Sequence, residues 1–198
     1  MKHPGLLVAL AFCLCIPSLM AQKKSDHSDH VEVGVFADYF NLSRTTPNIN
    51  FLGLGARAGF NVHRNVQIEA EMGYDFERNF TTVFSDGITS QFVRSSVRPL
   101  HGLFGPKFQT GGGHLRAFGT FKVGFVNFST SHQSVPAGFQ GALGGVTSGN
   151  TRSAIYPGGG VEGFWGPFGL RIDAGDEIYF DNGTRNNLKV TFGPVFRF

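Results

Sequence analysis

Apolar and polar side chains alternate with a period of two over most of the chain from Val31 onward. In the clearest run, residues 66–77 (VQIEAEMGYDFE), every second residue is apolar and the residues between are charged, amide or glycine. A helix would spread these side chains around its circumference, whereas a β-strand sorts them onto two opposite faces. The pattern therefore predicts an all-β chain built from two-faced strands.

The same pattern recurs along the chain and predicts eight antiparallel strands, approximately 31–39, 52–63, 66–77, 91–108, 114–125, 155–165, 168–177 and 187–198. The fourth is irregular, because Arg94 and Arg98 share the phase of Leu100 and Phe104, and a bulge near Pro99 would reconcile its two halves. Strands of about ten residues are long enough to cross a bilayer at a tilt.

The connections between these strands alternate in length. Tight turns are predicted at 63–65, 109–113 and 166–167, and longer loops at 41–50, 79–90, 129–152 and 181–186. Short turns at one end and long loops at the other are typical of transmembrane β-barrels. The sequence thus predicts an eight-stranded antiparallel up-and-down transmembrane β-barrel.

The polar face of the strands distinguishes a membrane barrel from a soluble one. A soluble barrel of lipocalin type keeps its polar face outside. Here that face carries nine acidic and seven basic residues, among them Glu32, Asp38, Glu77 and Glu177, a balance that suits a narrow lumen filled with ion pairs. The predicted lumen ion-pair network consists of Arg57, Glu69, Glu71, Asp75, Lys107, Arg116, Lys122, Glu162, Arg171, Asp173, Lys189 and Arg197.

The apolar face carries aromatic residues near the strand ends: Tyr39, Phe60, Tyr74, Phe76, Trp165, Phe196 and Phe198. Aromatic side chains at both edges of an apolar band form the girdles of membrane barrels. We therefore expect the apolar face to contact lipid.

The N-terminus is predicted to be a targeting segment. Residues 1–21 have a short basic start, an apolar stretch from Leu6 to Ile16 and Ala21 before the expected cleavage point, which is the layout of a cleaved signal peptide. Residues 22–30 form a polar, flexible lead-in, and 31–198 form the barrel domain. Both cysteines, Cys13 and Cys15, lie in the leader, so the mature chain has no disulfide.

The C-terminal stretch 187–198 (NLKVTFGPVFRF) alternates and ends in phenylalanine. Together with LFGPKF at 103–108 it resembles the small bacterial outer-membrane β-barrel domain family related to OmpA/OmpX-type proteins. The resemblance covers 31–198. It implies location in the outer membrane among lipid and lipopolysaccharide, periplasmic termini, and insertion by the barrel-assembly machinery, which would read Phe192, Phe196 and Phe198 as an assembly signal.

The sequence indicates location more clearly than role. Side chains can just fill an eight-stranded barrel, so the first hypothesis is a monomeric structural or surface-interaction barrel whose extracellular loops meet an unknown ligand. The alternative is a narrow ion or small-solute channel. The net charge of +3 is too small to indicate nucleic-acid binding.

A lipid-modifying outer-membrane enzyme is a third hypothesis. Its catalytic candidates would be His101 or His114 with Ser95, Ser96 or Asp75. His114 falls near a tight turn, Asp75 and Ser95 toward the opposite end, and His101 neighbours only serines on its own strand. We therefore predict that both histidines are lumen or turn residues, and that the chain is not an enzyme and has no cofactor or metal site. The Ser-Asp-His repeats at 25–30 are interpreted as a solvated tail.

Overall fold

The computed structural model describes residues 30–43, 49–85, 90–110, 114–132, 150–181 and 183–198. The predicted signal peptide, the lead-in up to residue 29, the glycine turn at 111–113 and residues 133–149 of the third loop lie outside the described residues. Within these ranges, no helix reaches the length and hydropathy needed to span a bilayer.

The described chain forms one antiparallel sheet of eleven strands. They are β1 (Val31–Leu42), β2 (Ile49–His63), β3 (Val66–Asp75), β4 (Arg78–Ser85), β5 (Ser90–Gln109), β6 (Leu115–His132), β7 (Asn150–Trp165), β8 (Phe168–Asp176), β9 (Ile178–Phe180), β10 (Thr184–Arg185) and β11 (Leu188–Arg197).

Successive barrel strands pair with one another, and the sheet closes on itself. β1 pairs with both β2 and β11, and β8 pairs with both β7 and β11. Three short strands continue longer ones: β4 follows β3 along β5, β9 follows β8 along β7, and β10 precedes β11. The result is the predicted closed, eight-stranded, up-and-down antiparallel barrel.

The two ends of the barrel differ. At one end, here called the turn end, His30 N donates to Phe198 O at 3.1 Å and Phe198 N donates to Val31 O at 3.0 Å. The short β2–β3 and β7–β8 turns lie at this end, and the second contains Gly166 at φ 65°, a left-handed conformation that favours glycine. The opposite end, the hairpin end, carries the longer connections.

The outer surface is apolar at mid-barrel, and the inner surface is charged. On β6, Val123 is 50% exposed whereas its neighbour Lys122 is fully buried. Trp165 and Phe168 are exposed at the turn end, and Tyr74 and Phe76 are exposed toward the hairpin end. This inside-out distribution is that of a barrel whose outer face contacts lipid, as the alternation predicted.

The predicted bulge near Pro99 is wrong. The register of β5 with β6 is unbroken from Ser95 opposite His132 to Phe104 opposite Val123. The irregularity lies on the other side of β5, where Tyr74 pairs with Leu100 but Arg78 pairs with Val97, so one extra residue is accommodated between β3 and β4.

Arg98 explains why β5 needs no change of phase. Its guanidinium lies 5.1 Å from the ring centre of Tyr74 on the outer face. An arginine can lay its aliphatic stem on apolar surface while its charge reaches the membrane interface. Glu77, which was expected in the lumen, is instead exposed at the β3–β4 interruption.

The predicted loops at the hairpin end are shorter than expected because strand pairing continues into them. Much of the predicted loop 79–90 is a hairpin in which β4 pairs with β5 from Arg78–Val97 to Ser85–Ser90. The third loop is shorter than predicted at both ends, because β6 extends to His132 and β7 begins at Asn150. Alternation did not reveal these extensions, because outside the bilayer neither face of a hairpin has to be apolar.

Candidate functional site: the barrel lumen

The lumen is the place where chemistry-bearing side chains converge. Its charged residues form three layers along the barrel axis, which we name by position. The turn-end layer contains Glu32, Lys107, Arg116 and Glu162; the central layer contains Arg57, Glu69, Glu71, Lys122, Arg171 and Asp173; and the upper layer contains Asp38, Asp75, His101, Glu177 and Lys189. All but Glu177, which follows β8 directly, lie on strands, and all are buried.

The turn-end layer joins two bases to two carboxylates. Lys107 Nζ lies 3.0 Å from Glu32 and 2.9 Å from Glu162. Arg116 Nη1 lies 3.3 Å from Glu32 and 3.8 Å from Glu162. Because β5 and β1 are not neighbours in the sheet, the Lys107–Glu32 pair crosses the lumen.

The predicted network member Arg197 lies at the mouth of the turn end, where it is partly exposed. Its guanidinium stacks 4.2 Å from the ring centre of Phe164, and its Nε donates to the carbonyl oxygen of Gly166 at 3.1 Å. These contacts anchor the last strand to the β7–β8 turn.

Arg171 is the hub of the central layer. Its two terminal nitrogens both donate to Glu69, with Nη2 at 3.1 Å from Oε1, and its Nε donates to Asp173 at 3.1 Å. Such two-point binding of a carboxylate by a guanidinium is among the stronger charge-assisted contacts. Since Arg171 is on β8 and Glu69 on β3, this pair also spans the lumen.

The remaining members of the central layer complete its charge balance. Arg57 Nη1 donates to Asp173 at 2.7 Å, and its Nη2 donates to Thr191 at 2.6 Å. Lys122 Nζ lies 2.5 Å from Glu69 and 2.6 Å from Glu71. Three bases therefore face three carboxylates.

Upper-layer contacts centre on His101 and Lys189. His101 Nδ1 lies 2.6 Å from Glu177 Oε1, and its Nε2 lies 3.0 Å from Asp75 Oδ2. Lys189 Nζ lies 3.1 Å from Glu177 and 3.4 Å from Asp38. One ligating atom from each of Asp38, Asp75 and His101 lies within 4.8 Å of the others, which makes these three the group that could hold a metal ion.

Sequence reasoning left four of these lumen residues out of the network: Glu32, Asp38, His101 and Glu177. Alternation placed Glu32, Asp38 and Glu177 on the polar face, so the signal for them was present. His101 was expected to neighbour only serines on its own strand, and this was wrong, because pairing of β3 with β5 places Asp75 at one ring nitrogen and Glu177 reaches the other from across the barrel. His114 is exposed at the turn end, remote from that pair, and the side chain of Ser95 lies outside the description.

A cluster of buried apolar side chains lies inside the barrel toward the hairpin end. Its members include Phe40 and Leu42 from β1, Phe51 from β2, and Val126 and Phe128 from β6, all buried. The ring of Phe40 meets that of His101 edge-on, with 4.7 Å between centroids, and Phe128 meets Tyr179 at 5.4 Å. The interior is thus polar over most of its length and apolar near one end.

No protein-family model and no curated protein matches the sequence, whereas solved structures match the fold. Ail, the attachment invasion locus protein of Yersinia pestis, in complex with the heparin analogue sucrose octasulfate, gives a TM-score of 0.51 at 15% identity, covering 85% of this chain and 97% of that chain. The outer membrane protein OprG from Pseudomonas aeruginosa gives 0.53 at 11% identity, covering 86% and 96%. Neisserial surface protein A gives 0.50 at 10% identity, covering 85% and 97%.

At these identities the likeness concerns the fold. The chain has the fold of the small eight-stranded outer-membrane barrels, as the resemblance implied. With its apolar outer surface and charged interior, it is an integral outer-membrane β-barrel protein.

Proposed function

We propose that this protein is a non-conducting outer-membrane barrel that acts through the surface of its hairpin end, which faces the cell exterior. The observation that carries the proposal is the filled lumen. A solute moving along the axis would have to separate the Lys107–Glu32 and Arg171–Glu69 pairs and then displace the apolar cluster around Phe40. Each buried pair would cost about 3–5 kcal/mol to leave half-satisfied.

The hairpin end supports a role in surface interaction. The β4–β5 and β6–β7 strand pairs continue beyond Tyr74 and Phe125, which belong to the outer apolar surface. The sequence between the β6 and β7 strands, 133–149, contains no Asp, Glu, Lys or Arg and is rich in Gly and small residues. Long connections on a rigid scaffold are where binding functions concentrate, and an uncharged tip favours contact with neutral or apolar surfaces over electrostatic capture.

The channel alternative is tested by single-channel recording in planar bilayers. The closed-lumen proposal expects no steady conductance from the folded protein. A matched pair of variants sharpens the test: Lys107→Ala removes a cation from the turn-end layer, whereas Arg64→Ala changes an exposed turn residue. Steady wild-type conductance that Lys107→Ala alters and Arg64→Ala does not would establish the channel instead.

Orientation is tested with protease added to intact cells. Cleavage is expected within 133–149 and not at 109–113, because the termini and short turns of an even-stranded barrel lie in the periplasm. Digestion restricted to 109–113 would reverse the proposed orientation.

The surface role is tested by complementation in a strain that lacks the protein. A variant with 136–146 replaced by a short glycine-serine turn should fold and insert, yet fail to restore whichever of cell adhesion or detergent resistance the intact gene restores. Full restoration by this variant would mean that the third loop is not needed and that the barrel has a structural role.

Enzymatic activity is not part of the proposal. His101, the candidate base, has a carboxylate at each ring nitrogen and is fully buried, so an external lipid or peptide would not reach it. The prediction that the protein is not an enzyme is checked by incubating the folded barrel with phospholipid and lipopolysaccharide and analysing both by mass spectrometry.

A further inference from the structure

The upper layer is the one lumen layer, among the described residues, whose charges do not balance. The turn-end layer has two bases for two carboxylates, and the central layer has three for three. The upper layer has three carboxylates, Asp38, Asp75 and Glu177, but a single lysine, Lys189, with His101 between them. The upper layer carries a net charge of −1 when both ring nitrogens of His101 hold a proton, and −2 when the imidazole is neutral, as it is when it binds a metal.

Three of the lumen carboxylate oxygens without hydrogen bonds lie in this upper layer, whereas Glu71 and Glu162 in the other layers have one each. Neither oxygen of Asp38 has a hydrogen-bond partner, nor does Asp75 Oδ1, although both side chains are fully buried. The closest cation to Asp38 is Lys189, 3.4 Å away. A buried carboxylate normally accepts several hydrogen bonds, since leaving it unsatisfied is costly. Asp38 therefore points to a cationic ligand in this part of the lumen.

The donors converge from three different strands. Asp38 is on β1, Asp75 on β3 and His101 on β5, with their ligating atoms all within 4.8 Å of one another. The 3.0 Å between His101 Nε2 and Asp75 Oδ2 is close to the roughly 3.3 Å that separates two donors bound about 2.0 Å from a tetrahedral ion. Barrel strands hold these donors rigidly, so little ordering is needed on binding.

His101 is also oriented as a metal-binding histidine is. Its second nitrogen, Nδ1, lies 2.6 Å from Glu177 Oε1, and Glu177 in turn is held by Lys189 at 3.1 Å. A carboxylate on the far nitrogen fixes the tautomer and ring position of histidines that bind metals. Metal binding would replace the proton that Nε2 shares with Asp75 Oδ2, and with the other proton kept on Nδ1 the Nε2 lone pair is directed at the two aspartates.

Two glycines allow the carboxylates of Asp38 and Asp75 to lie directly against the backbone. A Cβ at residue 73 would lie 2.9 Å from Asp38 Oδ2, and a Cβ at residue 53 would lie 2.3 Å from Asp75 Oδ1. Gly53 and Gly73 thus let both carboxylates sit against backbone while the rest of the lumen is filled by side chains.

We propose that Asp38, Asp75 and His101 bind one divalent transition-metal ion, with Zn²⁺ as the preferred ion and Glu177 as the residue that positions His101. Two carboxylate oxygens and one imidazole nitrogen suit Zn²⁺ or Mn²⁺, whereas Ca²⁺ and Mg²⁺ prefer oxygen alone. The ion balances the −2 charge that the layer has once His101 is a neutral ligand, and it ties β1, β3 and β5 together inside the barrel.

Access to the site is blocked in the folded protein. Phe40 covers the site on the side of the hairpin end, and the residues of the central layer cover it on the side of the turn end. The ion is therefore acquired before the barrel closes and leaves slowly afterwards. This feature determines the experiment, since metal must be present during folding.

The experiment refolds the mature chain into detergent with Co²⁺, removes unbound ion by gel filtration, and measures Co²⁺ by mass spectrometry and visible absorption. His27, His30, His63, His114 and His132 are replaced by Gln in every protein, which leaves His101 as the one histidine of the mature chain. We expect one Co²⁺ per folded chain, displacement by Zn²⁺ but not by equal Ca²⁺ during refolding, and slow loss to a chelator added after folding.

Three variants test which side chains bind the Co²⁺ ion. Asp38→Asn and His101→Gln should reduce affinity at least 100-fold, and Glu177→Gln should reduce it about 10- to 100-fold through His101. The matched control is Glu32→Gln, which removes a lumen carboxylate from the turn-end layer and should leave Co²⁺ binding unchanged. Heat-modifiable gel mobility shows that each variant is folded.

Thermal unfolding gives an independent readout. Zn²⁺ present during refolding should raise the midpoint temperature of unfolding of the parent protein and leave that of Asp38→Asn unchanged. If His101→Gln does not fold, Asp38→Asn still tests the metal site. This variant should fold, because the Asp38 carboxylate makes no hydrogen bonds that asparagine would lose. Absence of stoichiometric Co²⁺ in the folded parent, or equal binding by Asp38→Asn, would overturn the proposal.

Discussion

Val123→Arg is the substitution that most directly tests which face of the barrel meets lipid. Val123 is 50% exposed near the middle of β6, between Phe104 and Ile155 on the neighbouring strands. Arginine at the bilayer midplane of a membrane barrel costs about 2–4 kcal/mol, and near the interface about 0–1 kcal/mol. The expected loss in unfolding free energy is therefore about 2–4 kcal/mol.

Leu115→Arg is the matched control. Leu115 lies on the same strand and face and is 73% exposed, but it is eight residues nearer the turn end. At a rise of about 3.3 Å per residue and a tilt of about 40°, it lies roughly 20 Å from Val123 along the membrane normal. The same charge at this depth should cost no more than about 1 kcal/mol.

The measurement is reversible urea unfolding in lipid vesicles, with free energies extrapolated to zero denaturant. The two variants should differ by about 1–4 kcal/mol, which is a ratio of roughly 5- to 700-fold in folded population. Equal losses, or a larger loss for Leu115→Arg, would mean that the outer face of β6 does not cross hydrocarbon at Val123, and the membrane assignment would fail with it.

Three further changes test packing, charge and assembly. Glu69→Gln should lower the unfolding free energy by about 3–5 kcal/mol in urea titrations, because the arginine and lysine it binds stay buried, while exposed Glu77→Gln should change it by no more than about 0.5 kcal/mol. Gly160→Ala should cost about 1–3 kcal/mol by the same titration, because its Cβ would meet a backbone oxygen at 2.0 Å, and Gly163→Ala, with its nearest neighbour at 3.8 Å, should cost less. Deletion of Phe198 should reduce outer-membrane yield at matched expression, since its ring packs on Phe196 and its backbone pairs with the first strand; an unchanged yield would remove the assembly-signal prediction.

The positions of the outer and inner faces followed from the sequence alone. In a two-faced strand the side-chain direction is fixed by parity, so Val123 outward and Lys122 inward needed no knowledge of the neighbouring strands. The same parity placed Glu32, Asp38 and Glu177 inside, and the even strand count with alternating connection lengths predicted the closed barrel.

The ends of the strands and the irregularities in their pairing were harder to predict from the sequence. The β4–β5 hairpin pairs residues that the sequence assigned to a loop, because strand pairing outside the bilayer is held by backbone hydrogen bonds and leaves no apolar period. Likewise, the extra residue between β3 and β4 is visible only against the register of β5, and sequence reasoning placed it at Pro99 on the wrong strand.

Which charges meet was decided by closure of the barrel. Arg57 and Asp173 are 116 positions apart in sequence and His101 and Glu177 are 76 apart, and neither pair lies on neighbouring strands. Parity says only that such groups share the lumen; their heights depend on the stagger accumulated around eight strands, which no single strand encodes. The sequence by itself determined the composition of the lumen, and the tertiary structure decided its partners, including the imbalance around Asp38, because contact across a barrel depends on the geometry of the whole sheet.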